Sequence, residues 1–397
     1  MQRSGVAISG AGCLCGAGMD LASAYAAMLA GERNPQAPQG FSTTHPDTYP
    51  VFEICSPLPA PGTDAELLRT TRLALSAAQE ALADAQLDQE ALRGLRVGVC
   101  IGTTVGSAMN NEDFYRDFRS DKTPDLAPIK RYLRSNPAAA LARHYALDGP
   151  CRVVVNACSS GTDAIGLGAA WIRAGVCDMV IAGGADELCR TTYNGFASLM
   201  ITDTHACRPF DAARRGLNLG EGAGVLVLEG RASLQRRKHR ARGYVLGYGN
   251  AMDSHHLTAP HPEGRGLKAA LAQALESGGV EPHQIGFINA HGTGTPDNDK
   301  VESKVLQELF PALPVVSTKG YTGHTLGAAG AIEAALTLAG LERGEIPANA
   351  GFARVDPALG LTPTTKPTPI RGRIALSESL AFGGNNAAVI LGLEEKV

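Results

Sequence analysis

Three residues far apart in the chain stand where chemistry is usually placed: Cys158, His291 and His324. Arg152-Val-Val-Val-Asn-Ala-Cys158 reads as a short buried strand that stops at a thiol. Ser159 to Arg173 then reads as a helix. Ser159, Ser160 and Thr162 suit its start, and apolar residues recur at three- and four-residue spacing. A thiol at such a junction faces free N–H groups and the positive end of a helix dipole, which predicts a lowered pKa and a reactive thiolate. The bland alternative is a small buried hydrophobe. His291 ends Phe287-Ile-Asn-Ala and enters Gly-Thr-Gly-Thr-Pro296, while His324 follows Ser317-Thr-Lys-Gly-Tyr-Thr-Gly323 and precedes Leu-Gly-Ala-Ala-Gly330. Either imidazole alone suits a structural role. A thiol and two imidazoles on three such turns suit nucleophilic acyl transfer or a thiol hydrolase.

The elements that must position them alternate in type. Strand-like runs cover 6–9, 97–101, 153–156, 179–182 and 224–229, then 244–248, 285–289, 314–317, 374–376 and 387–391. Helical patterns fill the gaps at Ala65–Ala85, Gly266–Ser277 and Ala328–Glu342. This alternation predicts an α/β protein with largely buried sheets. Val153-Val-Val-Asn-Ala-Cys-Ser-Ser-Gly161 and Ile285-Gly-Phe-Ile-Asn-Ala-His-Gly-Thr293 look alike, so an internal duplication is expected, with halves at 1–240 and 241–397.

Composition excludes several functions. Net charge is −3 over 397 residues, so no global field calls for nucleic acid or an anionic membrane. The basic run Arg236-Arg-Lys-His-Arg-Ala-Arg242 lacks interleaved aromatics and reads as a solvated segment. Nine cysteines at irregular spacing, with no CxxC pair, suggest neither a disulfide framework nor a zinc site. His255, His256 and His261 cluster without a companion carboxylate or thiol set, so no metal is expected. Gly10-Ala-Gly-Cys-Leu-Cys-Gly16 misplaces the third glycine of a dinucleotide loop. No apolar run reaches membrane-spanning length, and Met1-Gln-Arg-Ser leads straight into a strand. A cytoplasmic protein without a cofactor of its own is expected.

Asn156-Ala-Cys-Ser-Ser-Gly161, His291-Gly-Thr-Gly-Thr-Pro296, Lys319-Gly-Tyr-Thr-Gly-His324 and Ala381-Phe-Gly-Gly-Asn-Asn386 resemble the four signatures of the elongating, Cys-His-His type of β-ketoacyl-acyl-carrier-protein synthases. The resemblance extends to Cys207-Arg-Pro-Phe-Asp211, Leu219-Gly-Glu-Gly-Ala-Gly224 and His256-Leu-Thr-Ala-Pro260. It implies a thiolase-like fold of two similar α/β halves in five αβαβα layers, within a homodimer. It implies decarboxylative condensation of malonyl-carrier protein with an acyl group on Cys158, in fatty-acid, polyene or polyketide elongation. By the same resemblance His291 and His324 donate to the enolate oxygen, Lys319 pairs with Glu302, Phe382 gates the thiol and lends its N–H to the oxyanion, and Thr293 and Thr295 hold the pantetheine arm. Val105 becomes a chain-length gate, Arg208 a substrate-binding residue, and Arg69, Arg72, Lys130, Arg131 and Arg208 a basic patch for an acidic acyl carrier protein.

Seven residues at five places depart from the family's usual pattern: Gly320-Tyr321, Leu380-Ala381, Asn385, Asn298 and Arg215, the last in place of an aspartate. None removes a catalytic group, and they point to a specialised substrate. Alternatives are the active half of a heterodimer with a chain-length-factor partner, a non-condensing scaffold subunit, and a thiol hydrolase. Intact Cys158, His291 and His324 argue against the scaffold, and the second imidazole argues against the hydrolase. A thiolase proper needs a second cysteine near the C-terminus, and none follows Cys207.

Overall fold

The computed structural model describes residues 5–58 and 66–395; the opening Met1–Ser4 and the expected helix start at Ala65 lie outside them. The strands of the first half are β1 Val6–Cys15, β2 Val97–Gly102, β3 Cys151–Val154, β4 Met179–Asp186 and β5 Gly222–Glu229. Those of the second are β6 Gly243–Met252, β7 Phe287–Asn289, β8 Val315–Val316, β9 Glu345–Ile346, β10 Thr368–Pro369, β11 Ile374–Leu380 and β12 Asn385–Gly392. All ten runs expected from the sequence are present, and β9 with β10 adds a small ribbon. The other ten form one sheet in the order β3-β2-β4-β5-β1-β6-β12-β11-β7-β8.

That order repeats itself. Within the first half, β1/β5 and β5/β4 are antiparallel, while β4/β2 and β2/β3 are parallel. Within the second, β6/β12 and β12/β11 are antiparallel, while β11/β7 and β7/β8 are parallel. The two halves join where β1 pairs with β6 at Val6–Val245. This topology corrects the internal match seen in the sequence. The turn after β3, which holds Cys158, corresponds to the turn after β8, which leads to His324; it does not correspond to the His291 turn after β7. Residue types shared around Asn-Ala were a poorer guide than strand order, because a strand's place in a sheet is set by pairing rather than by local composition.

Three apolar cores separate the layers. One lies between helix Arg69–Asp84 and the outer face of the first half, around Leu73, Ile101 and Val225. A second lies under helix Arg265–Gly278, around Leu271, Ile288 and Ile390. The third lies between the halves and holds helices Ser160–Arg173 and Ala329–Arg343, with Ile165, Ile332 and Leu336. Close approach needs missing side chains at matching places. A Cβ on Gly10 or Gly12 would sit 2.1 Å from the carbonyls of Ala81 or Ala77, and one on Gly249 or Gly247 would sit 2.0 or 2.1 Å from those of Ala270 or Ala274. Gly10 and Gly12, two of the glycines that hinted at a dinucleotide loop, thus lie inside β1 and seat a helix. The central helices meet at Gly161 and Gly330, where a Cβ on Gly330 would sit 2.0 Å from Thr162 Oγ1.

One strand differs from expectation. β3, read as buried, is an edge strand that pairs, among the described residues, with β2 alone, and Val155 just beyond it is 61% exposed. A β-branched run signals strand conformation but not which strands flank it.

Candidate active site

The Cys158 turn is built by its hydroxyl neighbours. Residues 157–159 form one 3₁₀ turn before helix Ser160–Arg173, and Ala157 is held at φ 47°. A non-glycine residue tolerates that region only when its surroundings over-determine it. Here Ser160 Oγ donates to the Ala157 carbonyl at 2.6 Å and accepts the Asn156 N–H at 2.8 Å, and Ser159 Oγ donates to the Asn156 carbonyl at 2.9 Å. The Asn156 side chain is fixed on Asp163 at 2.7 Å. The motif Asn-Ala-Cys-Ser-Ser-Gly is therefore a scaffold for one strained turn that presents a sulfur.

The loop between β11 and β12 closes over that sulfur. Gly383 and Gly384, both at φ 85°, make the turn, and the Phe382 backbone N–H favours the Cys158 thiolate. Asn385, one of the departures from the family pattern, ties this loop to the thiol turn by donating to Ser159 Oγ at 2.6 Å and Asp163 Oδ2 at 3.0 Å. The Phe382 ring stacks on Phe196 with centroids 5.5 Å apart, and Phe196 meets the His324 ring edge-on at 6.4 Å.

Both imidazoles are buried, and their tautomers follow from what reaches Nδ1. The His324 Nδ1 accepts the Leu326 N–H at 3.2 Å, so the neutral ring carries its proton on Nε2, which lies 3.1 Å from Cys158 Sγ. The His291 Nδ1 accepts from the Lys319 ammonium at 3.1 Å, which likewise leaves the proton on Nε2. The two rings are 5.3 Å apart and nearly perpendicular. Burial, then the Lys319 charge, holds both imidazoles well below their ordinary pKa, with each other's proximity adding to the effect at His291. Both are neutral N–H donors at physiological pH.

Two expectations are corrected here. The Cys158 thiol is pushed up to about 11 by burial, which outweighs the Phe382 N–H and the Lys319 charge that favour the thiolate. Withdrawal from water is the larger effect at a fully buried sulfur, so the resting group is a thiol. Second, Lys319 pairs with Glu333, not Glu302: Nζ donates to Glu333 Oε1 at 2.5 Å. Glu333 is the single ionisable residue of the stretch 329–341, a signal the sequence did carry. Glu302 instead accepts the Gly292 N–H at 2.8 Å and the Asn298 amide at 2.9 Å, which fixes the His291 turn. Asn298, another departure, thereby braces that turn.

These groups share one cavity of about 430 Å³, lined by Cys158, His291, His324, Thr293, Thr295 and Phe382 among others. Thr293 and Thr295 share a hydroxyl hydrogen bond of 2.8 Å. Leu380 and Ala381, substituted relative to the family pattern, are also in its wall, as is Arg215. Val105 and Arg208 are not. Val105 lies on the turn after β2, where its carbonyl accepts the Tyr132 hydroxyl at 3.1 Å. Arg208 is half-buried and packs against Gly351. Of the basic patch, Arg69 is committed to the buried Glu221 at 2.5 Å and Arg72 to the Leu58 carbonyl at 3.0 Å, whereas Lys130 and Arg131 are exposed. Among the described residues no group of three or more His, Cys, Asp or Glu side chains is placed to hold a metal ion.

A duplicated, mixed α/β framework with a thiol and two imidazole donors at the seam of its halves defines a thiolase-like, acyl-transferring condensing enzyme. The chain belongs to the β-ketoacyl synthase family: the model of the β-ketoacyl synthase N-terminal domain matches residues 61–233 and that of the C-terminal domain matches residues 242–353. It is 33% identical over 336 residues to 3-oxoacyl-[acyl-carrier-protein] synthase 2 of Staphylococcus aureus, covering 81% of this chain and 83% of that one. A chain of the ishigamide ketosynthase/chain length factor superposes with a TM-score of 0.91 at 31% identity, covering 98% and 99% of the two chains. A chain from the complex of a ketosynthase with its chain length factor from Xenorhabdus doucetiae gives 0.84 at 33% identity, covering 99% of each.

Proposed function

We propose that this enzyme elongates an acyl chain by two carbons, with Cys158 as the acyl carrier and His291 and His324 as donors to the enolate. The observation that carries this reading is the pair of neutral Nε2–H groups aimed into the cavity that holds the thiol. In the first half-reaction the sulfur attacks the thioester carbon of an acyl-carrier protein. The Cys158 and Phe382 N–H groups receive the oxyanion, and the carrier leaves as a thiol that takes up the Cys158 proton. In the second, the bond from malonyl-carrier protein to its carboxylate breaks, CO₂ departs, and the electron pair moves onto the thioester oxygen as an enolate. The two imidazoles stabilise that charge without giving up their protons. The carbanion then attacks the acyl carbon, Cys158 is expelled as a thiolate that regains its proton from water, and a β-ketoacyl thioester remains.

Thr293 and Thr295 hold the pantetheine arm, whose phosphate-linked thiol belongs to the carrier rather than to a resident cofactor. Lys319 fixes the His291 tautomer, and Glu302 supports the turn. The halves divide at residue 240. The partners are an acyl carrier protein and a second ketosynthase-like subunit, identical or of the chain-length-factor kind. The unpaired β3 edge, with Val155 and Leu133 exposed, supports such a subunit. Nine free thiols fit a reducing cytoplasm, and no helix among the described residues is long and apolar enough to cross a membrane.

Incubation with a panel of acyl- and malonyl-carrier proteins, read by intact mass, tests the proposal. Acylation should fall on Cys158 and vanish in Cys158→Ala. His291→Ala should load normally yet release CO₂ from malonyl-carrier protein roughly a hundredfold more slowly. No loading by any primer, with or without a partner subunit, sinks the assignment.

A further inference from the structure

The cavity that holds a buried sulfur is also lined by a cation that the condensation chemistry does not use. Among the described residues Arg215 is the only Arg or Lys in its lining, and its side chain is 62% exposed. It is held in place. Its Nη2 donates to His205 Nδ1 at 2.8 Å and lies 3.5 Å from Asp203 Oδ1, and that buried carboxylate also accepts the His205 backbone N–H at 3.0 Å. The other edge of the guanidinium has no protein partner among the described residues. Asp253, also in the lining, is already committed to the N–H groups of His261 and Gly266 at 3.0 Å each.

The substrate arm must thread this space with its thioester at Cys158. Outward from the thioester come two amides and a hydroxyl, all neutral, and then one anion, the phosphate that ends the pantetheine. We propose that Arg215 binds that phosphate and makes the enzyme selective for phosphorylated pantetheine donors. A pre-oriented guanidinium fork matches phosphate oxygens. This inference rests on the condensing function proposed above.

The test compares loading of Cys158 from two small donors, an acyl-pantetheine and the same acyl-4′-phosphopantetheine, as kcat/KM by intact mass. The unmodified enzyme should prefer the phosphorylated donor about tenfold or more, and the preference should shrink with added salt. Arg215→Ala should bring the ratio close to one, Arg215→Asp should invert it, and Arg215→Lys should keep part of it. Equal use of both donors by the unmodified enzyme, or an unchanged ratio in Arg215→Ala, overturns the proposal. So does a defect in Arg215→Ala seen only with intact acyl-carrier protein, which would put the guanidinium on the carrier's own surface. Failure of the unmodified enzyme to load either donor or acyl-carrier protein at Cys158 would instead refute the condensing function.

Discussion

Replacing Lys319 by Met separates what the buried ammonium does for the fold from what it does for the reaction. The ammonium donates to Glu333 at 2.5 Å and to His291 Nδ1 at 3.1 Å. Its loss strands Glu333 in surroundings that already raise its pKa by burial, and breaking a buried pair from one side costs about 3–5 kcal/mol. It also leaves His291 Nδ1 without a donor. The ring can then carry its proton there and turn a bare Nε2 toward the enolate. One missing donor costs about 3 kcal/mol of barrier, which at about 1.4 kcal/mol per decade is roughly a hundredfold in decarboxylation. The Lys319 charge favours the Cys158 thiolate as well, so loading slows, though less. Adding Glu333→Gln removes the stranded carboxylate. The double variant should regain most of the lost stability in urea and none of the lost rate of CO₂ release from malonyl-carrier protein. If it decarboxylates within about threefold of the unmodified enzyme, the tautomer-fixing role of Lys319 is wrong.

The thiol and the helix seam give two more tests. With the Cys158 pKa at about 11, its thiolate fraction grows with every step in pH below that value. Alkylation by iodoacetamide, mapped to Cys158, should speed up about tenfold per pH unit from about pH 7 to 10. A plateau near neutrality would show that the junction's dipole prevails over burial. Gly330→Ala should lower the urea midpoint, by about 1–3 kcal/mol of stability, because the new methyl meets Thr162 Oγ1 on the facing central helix and Ser379 Oγ on β11. An unchanged midpoint would mean that the helices part without cost.

The fold was readable where periodicity and punctuation agreed. The three helices expected at Ala65–Ala85, Gly266–Ser277 and Ala328–Glu342 end within a few residues of Arg69–Asp84, Arg265–Gly278 and Ala329–Arg343. The convergence of Cys158, His291 and His324 was also readable, because a reactive side chain between a strand and small residues is a local signal. What failed was whatever depends on three-dimensional surroundings. Thiol ionisation turned on depth of burial, which outweighed a dipole visible in the sequence. The partner of Lys319 lay 14 residues away on an apolar helix rather than in the expected motif. Arg69 looked like surface charge, but a fully buried Glu221 claims it. The repeat was sensed, yet its halves were aligned on the wrong turns, since only strand pairing reveals which corners are equivalent.

That equivalence has a sequel. Cys158 follows Ala157 at φ 47°, and Gly327 follows Leu326 at φ 53°, each within a 3₁₀ turn that opens a central helix. The same corner therefore occurs twice and serves two trades. One copy offers a sulfur; the other offers an N–H to Asp186 at 2.7 Å and, one step earlier, the Leu326 N–H that sets the His324 proton. The second corner is a silent twin that keeps its sibling's neighbour correctly poised. Catalytic competence belongs to the joint rather than to either repeat, so a slight slippage of one repeat along the other would disarm the enzyme well before it unravelled.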